Sequence, residues 1–198
     1  MMSNSTSRPG TPRRRYELGR RAQKQMETRR RIVEAAVDLH GTLGPARTSV
    51  MQIAERAGVQ RHTFYAHFPN ERDLLLACSG LTLERDPLPD LSDVRKLPAG
   101  AERVRKGLEQ FYGWFERNAQ LVSAVMRDAQ YHEVTRETVE LRIGPALADA
   151  AQLLGERLDE RSRVLLDLAL DFGCWRQLSR TQDVKQAAEL MSAAVTRV

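Results

Sequence analysis

The chain has 198 residues, of which 41% are hydrophobic, 29% charged and 6% aromatic, with a formal net charge of +5. That length can bury a real core as one large domain or two small ones, and no apolar run approaches the roughly 20 residues of a membrane span. Only Cys78 and Cys174 are available for crosslinking, which excludes a disulfide scaffold, and the Ser/Arg-rich start lacks the apolar stretch of a secretory signal, so a reducing cytoplasm is the expected location.

The charge is unevenly spread. Residues 1–70 hold 13 Lys/Arg against 5 Asp/Glu, whereas residues 71–198 hold 18 against 21. A basic module joined to a mildly acidic one is the pattern of a nucleic-acid-binding part attached to something else.

In chain order, residues 1–22 combine Ser, Thr, Pro and Gly with Arg13-Arg14-Arg15 and Arg20-Arg21. This composition buries too little apolar surface to order itself and predicts a flexible basic arm, which either lies on the DNA backbone or in a minor groove, or is merely solvated. A first helix is predicted from about 24 to 42, with Ile32, Ala35, Ala36 and Leu39 facing inward. A second, 50–57, opens with the capping box of Ser49 and Gln52 and closes at Gly58, where a left-handed backbone suits a residue without a β-carbon. A third, 60–67, turns Val59 and Phe64 inward and leaves Arg61, His62, Thr63, Tyr65 and His67 outside. Asn70 is a good N-cap for a fourth helix reaching about Arg85, after which Asp86-Pro87-Leu88-Pro89-Asp90 breaks the pattern.

Beyond that loop the periodicity is again helical. Val104, Leu108, Phe111 and Phe115 form one apolar stripe, and Leu121, Val122, Val125 and Met126 a shorter one. A long pattern from Val134 to Leu158 is interrupted at Gly144-Pro145, and two more amphipathic segments cover about 160–179 and 183–196. The expected fold class is all-α, with about nine helices. Its units are a flexible arm (1–22), a helix-turn-helix domain (23–69) and a helical regulatory and dimerisation domain (70–198).

Five hydrogen-bonding side chains within seven residues, on a short helix behind a tight turn, suit contact with phosphates and base edges. Arg61 is the candidate for reading a guanine bidentately, beside Gln60 and His62 at the helix's leading end; phosphate holding alone is its other possible role. Thr48 and Ser49 could add a hydroxyl and helix N-terminal amides to another phosphate, with capping alone as the other possible role of Ser49.

This stretch resembles the tetracycline-repressor (TetR) family of bacterial regulators. The residues that carry the likeness are Ile32, Ala35, Ala36 and Leu39, Gly44, Thr48-Ser49-Val50, Ile53-Ala54, Ala57-Gly58-Val59, Thr63-Phe64-Tyr65, His67-Phe68 and Leu74-Leu75. The resemblance implies phosphate contacts from Tyr65 and His67, with Thr63 beside them. Two positions depart from the family pattern. Glu71 stands where a DNA-touching lysine is usual, leaving Arg72 as its possible substitute, and Pro45 replaces an aromatic. The resemblance further implies a homodimer on palindromic double-stranded DNA and a small-molecule effector bound in the C-terminal part.

For that effector the large residues Phe111, Trp114, Phe115, Met126, Tyr131, Phe172 and Trp175 are candidate pocket lining, with ordinary core as the alternative for each. Their chemistry favours a lipophilic ligand over a sugar or nucleotide. Leu165 and Leu168, with Phe172 and Trp175 on the same helix, and Ala187, Leu190, Met191 and Ala194 on the last one, are candidates for the dimer interface.

The resulting expectation is a DNA-binding repressor that releases its operator on binding ligand, with an architectural or nonspecific DNA-binding protein as the alternative. No phosphate-binding glycine loop, nucleophile elbow or C-x-x-C pair is present, and His40, His62, His67 and His132 have no metal-ligand spacing, so neither an enzyme nor a metal or cofactor is expected. A redox sensor would need Cys78 and Cys174 to meet.

Overall fold

The protein is described from Pro12 to Arg197, and its side chains from Gly19, in a computed structural model. Every regular element among the described residues is helical. The first helices are α1 (Pro12–Thr42), α2 (Val50–Ala57), α3 (Arg61–His67) and α4 (Glu71–Arg85), with a 3-10 turn, Pro45–Arg47, between α1 and α2. After a proline-rich loop come α5 (Ser92–Arg95), α6 (Ala101–Arg117), α7 (Ala119–Ala129), α8 (Glu133–Arg142) and α9 (Gly144–Leu154). The chain closes with α10 (Glu160–Leu170), α11 (Phe172–Leu178) and α12 (Val184–Thr196).

Helix α1 begins at Pro12 instead of near residue 24. From Pro12 on, the segment expected as an arm is helical; residues 1–11 and the side chains of Arg13, Arg14 and Arg15 lie outside the described residues. Helices number twelve among the described residues, more than the nine expected. One reason is Asp171, which breaks the predicted 160–179 helix by turning extended and accepting the Cys174 backbone N–H at 3.1 Å as the N-cap of α11. Another is the single turn of α5, too short to show a period.

Two hydrophobic clusters organise the chain. The first joins Ile32, Val33, Ala35 and Ala36 of α1 to Ile53, Ala54 and Ala57 of α2, Phe64 and Phe68 around α3, and Leu74 and Cys78 of α4. The second surrounds α6, whose buried Leu108, Phe111, Tyr112 and Phe115 meet Leu154 of α9, Leu166 of α10 and Ala187 and Ala188 of α12. Its centre is aromatic. The Phe115 ring lies 5.4 Å from Phe172 and 5.7 Å from Trp175, distances at which offset or edge contacts add to simple burial. The Tyr112 hydroxyl donates to the Ala169 carbonyl at 2.8 Å, so this core leaves that polar tip satisfied.

Between the clusters, α4 lies against both α1 and α8, and α7 lies against α1. The surface at the far end differs. Val164, Leu168 and Leu190 on α10 and α12 are more than half exposed, an apolar face with no partner in the single chain.

Candidate nucleic-acid interface and interior cavity

The α2–α3 unit is set by local chemistry. Ser49 accepts the Gln52 backbone N–H while the Gln52 side chain accepts the Ser49 N–H at 2.8 Å, closing the capping box reciprocally. Gly58 ends α2 at φ 64°, and its N–H returns to the last carbonyls of α2. That left-handed residue turns the chain so that α3 starts three residues later, at Arg61, with Gln60 as its extended N-cap. Phe64 and Phe68 are buried below α3, and the Arg29 guanidinium of α1 stands 4.3 Å above the Phe68 ring, so α1 contributes both apolar and cation–π support.

The opposite face of α3 is open. Gln60, Arg61, His62 and Tyr65 are exposed, while Thr63 and His67 are half-buried on its flanks. The Arg61 guanidinium leans over the Tyr65 ring at 5.6 Å and reaches its hydroxyl at 3.5 Å, which holds Arg61 along the helix without occupying its other donors. His62 and Thr63 approach each other at 3.3 Å. Thr48 donates to the Gly44 carbonyl at 2.7 Å, and the Ser49 hydroxyl is taken up by Gln52, so both keep only acceptor capacity beyond their structural bonds. At the start of α4, Arg72 stands 3.9 Å from Glu137 of α8 and Glu71 stands 3.5 Å from His132. Both side chains thus have partners on the regulatory side, and Arg72 would have to leave Glu137 to touch DNA.

The cavity is not where the aromatic residues had placed it. Phe111, Phe115, Phe172 and Trp175 are buried against one another in solid core, and Tyr131 is exposed with its hydroxyl on Asp128. Of the candidates, only Trp114 and Met126 line the open space. It lies at the seam of the two clusters, with a volume of about 100 Å³. Val37 and His40 of α1 and Leu75 of α4 form one side; Leu121, Val125 and Met126 of α7 form the other. Helix α8 supplies Thr135, Thr138, Val139 and Arg142, spaced i, i+3, i+4 and i+7 on one face. Three of these four are polar, so the stripe is carried by helical spacing and not by residue size. Pro45, which stands where the family usually has an aromatic, is buried and lines the same cavity.

His40 is 4% exposed, and its ring nitrogens have no hydrogen-bond partner among the described residues. Burial pushes its pKa down to about 4 against a smaller opposing pull from the Asp128 carboxylate, so the imidazole is neutral near pH 7. Arg142 donates through Nε to the Ser79 hydroxyl at 3.2 Å and through Nη2 to the Leu76 carbonyl at 3.1 Å, tying α8 to α4.

A second tie, also missed, joins α7 to the α1–α2 connector. Asp128 is fully buried and accepts the Ala46 backbone N–H at 2.9 Å, the Tyr131 hydroxyl at 2.8 Å and Arg127 Nε at 2.9 Å. Burial raises its carboxyl pKa, but these bonds outweigh it and hold the group below its ordinary value. Arg127 also donates to the Leu43 carbonyl at 2.7 Å. Gly44 sits beneath this pair at φ 98°, where a β-carbon would collide with the Arg127 guanidinium and the Asp128 carboxylate.

Cys78 and Cys174 are both unbonded thiols. Cys78 lies in the first cluster, where burial pushes its thiol up to about 12, and Cys174 is half-buried on α11 with its thiol raised by burial and Asp171. Neither has the low-pKa thiolate character of a redox sensor.

Among the candidate interface residues, Leu168, Leu190 and Ala194 are exposed, Leu165 and Met191 are half-buried, and Ala187 is fully buried. Ala187 packs within its own chain, as do Phe172 and Trp175, and is unavailable to a partner.

Residues 32–78 match the family described as bacterial regulatory proteins, tetR family. The helix-turn-helix segment of this chain is of the TetR type. The segment aligned with the HTH-type transcriptional regulator SrpR of Pseudomonas putida is 38% identical over 76 residues, 37% of this chain and 36% of SrpR, so the chain spans little more than a third of that relative. Whole-chain likeness comes from solved structures. FadR of Bacillus subtilis in complex with stearoyl-CoA superposes with a TM-score of 0.58 at 19% identity, over 84% of this chain and 97% of that one. A mutant of HlyIIR reaches 0.63 at 16% identity, over 88% and 100%. These last two establish that the fold is shared over the whole chain, and the fold alone.

Proposed function

We propose that the chain is a sequence-specific DNA-binding transcriptional regulator, a repressor that acts as a homodimer and releases a palindromic operator when a small ligand enters the seam cavity. The observation that carries this reading is the α3 surface. An exposed row of Gln60, Arg61, His62 and Tyr65 is held on a helix whose other face is locked by Phe64 and Phe68. Thr63 and His67 flank that row and are assigned to phosphates; Thr48 and Ser49 join them if their hydroxyls give up the Gly44 and Gln52 bonds, and Arg72 if it leaves Glu137.

Release follows from the position of the cavity. One of its sides is α1 and α4, which carry the helix-turn-helix, and the other is α7 and α8. A ligand larger than the space present separates the two sides, and it acts through its differential affinity for the separated state. The Asp128 and Arg127 bonds to the α1–α2 connector carry displacement of α7 to the reading unit. The FadR structure holding stearoyl-CoA is a fold neighbour, and a lipophilic effector suits the apolar lining here. The exposed Leu168 and Leu190, with Leu165, Met191 and Ala194 beside them, are assigned to the dimer interface.

Selection of duplexes from a random-sequence pool by the purified full chain tests this function. A palindromic consensus with half-sites about one helical turn apart is expected. Recovery of unselected sequence at every round would instead favour the architectural reading.

A further inference from the structure

The lining of the seam cavity is apolar except at a few places, and two of those have unfinished polar chemistry. The first is His40, 4% exposed and without a hydrogen-bond partner among the described residues. No fully enclosed side-chain nitrogen or oxygen among the described residues lacks a partner, so the unpaired His40 ring is reachable from the space it lines and has capacity for one ligand group. The second is Arg142. It spends two N–H groups on Ser79 and Leu76, no described carboxylate pairs with it, and a guanidinium has five donors. A cation beside an apolar cavity without a counter-charge is a poor arrangement until an anion completes it.

Size narrows the class. The space is about 100 Å³. A cavity of about 150 Å³ holds benzene, whereas drug-sized ligands occupy about 300 Å³ or more. A single ring or a short branched chain enters with modest displacement of the walls, and an extended chain does not.

We propose that the cavity between α1, α4, α7 and α8 takes a compact apolar carboxylate, with its anionic head on Arg142 and a hydrogen-bonding substituent on His40. The carboxylate accepts from the donors that Arg142 does not use on α4, so binding completes the ion pair without cutting the α8–α4 tie. His40, neutral at pH 7, supplies a hydrogen bond and no charge. Leu121, Val125 and Met126 enclose the apolar body. This inference deepens the regulator reading by naming the effector class, but the binding it asserts is measurable without DNA.

The test is calorimetric titration of the full chain with benzoate, 4-hydroxybenzoate and 4-hydroxybenzamide, for the wild type, Arg142→Gln, Arg142→Lys and His40→Leu. In the wild type 4-hydroxybenzoate is expected to bind about tenfold or more tightly than its amide. Arg142→Gln should abolish that preference and leave the amide's affinity as it was, while Arg142→Lys retains part of it. The hydroxyl should improve on benzoate in the wild type and not in His40→Leu. Equal affinity of acid and amide in the wild type overturns the proposal, as does an acid preference that survives in Arg142→Gln. Absence of binding of all three at millimolar concentration overturns it too. The wild-type comparison decides even if a variant fails to fold. Operator binding is measured in parallel. Sequence-selective DNA binding without carboxylate binding overturns this inference alone, and carboxylate binding without selective DNA binding overturns the regulator reading alone.

Discussion

The reading unit and the seam cavity are built on opposite plans. In α2–α3 the residues that pack and those that face outward separate cleanly: Ile53, Ala57 and Phe64 go in, Arg61, His62 and Tyr65 stay out. At the cavity the division fails, because polar His40, Thr135 and Thr138 are buried and the large aromatics close up elsewhere. The contrast teaches that a surface site is coded by what a helix leaves exposed. An interior site is coded by the inward polar residues that a core does not need.

The largest expected effect breaks the contrast between solid core and cavity. Phe115→Ala should cost about 3–5 kcal/mol in denaturant unfolding, because it removes a ring packed against Phe172 and Trp175. Val125→Ala, at the cavity wall, should cost a small part of that and enlarge an existing space. The reverse ranking would mean that the open space lies within the aromatic cluster.

A slightly smaller effect concerns pH. The folded pKa of His40 is about 4, below the 6.5 of the free side chain, so the unfolded chain binds the extra proton between those values. Stability from this group is therefore complete above pH 6.5 and falls as pH drops toward 4, by roughly 3 kcal/mol across the window. Urea unfolding at successive pH values should show that slope, and His40→Gln should flatten it. Asp128 acts in the same direction, losing its contribution only as pH falls below its ordinary 3.8. A wild-type profile that is flat from pH 6.5 to 4 would contradict a buried neutral imidazole.

Smaller still is the tie between α7 and the α1–α2 connector. Gly44→Ala forces a β-carbon against Arg127 and Asp128 at a positive φ, and should cost about 1–3 kcal/mol. It should also weaken the dependence of DNA binding on ligand more than it weakens DNA binding itself. Anisotropy with and without ligand distinguishes the two; an unchanged ligand response would remove this tie from the transmission route.

Much of the fold was legible because the boundaries of α2, α3 and α4 are written in local chemistry. Ser49 with Gln52, Gly58 and Asn70 place them to within a residue. The Gly144-Pro145 interruption likewise marks the first turn of α9, with Ile143 alone separating it from α8. The break at Asp171 was not legible, since the apolar pattern runs through it and only a capping side chain ends α10. Among candidate site residues, the exposed row on α3 could be read from periodicity. The cavity could not be read from residue size, because Trp114 and Met126 line it whereas Phe111, Phe115, Phe172 and Trp175 pack solidly. The Asp128–Ala46 and Arg142–Leu76 ties span 82 and 66 residues, a separation that no local pattern reports.

The most direct test of the central claim is fluorescence anisotropy with the selected duplex and an unrelated one, comparing wild type with Arg61→Ala. Arg61 is exposed and outside both clusters, so the substitution should leave the melting temperature unchanged. Affinity for the selected duplex should fall by about 1–3 kcal/mol per reading helix, with little change on unrelated DNA beyond one lost phosphate contact. Equal binding of both proteins to both duplexes would contradict the assignment of α3 as the reading helix.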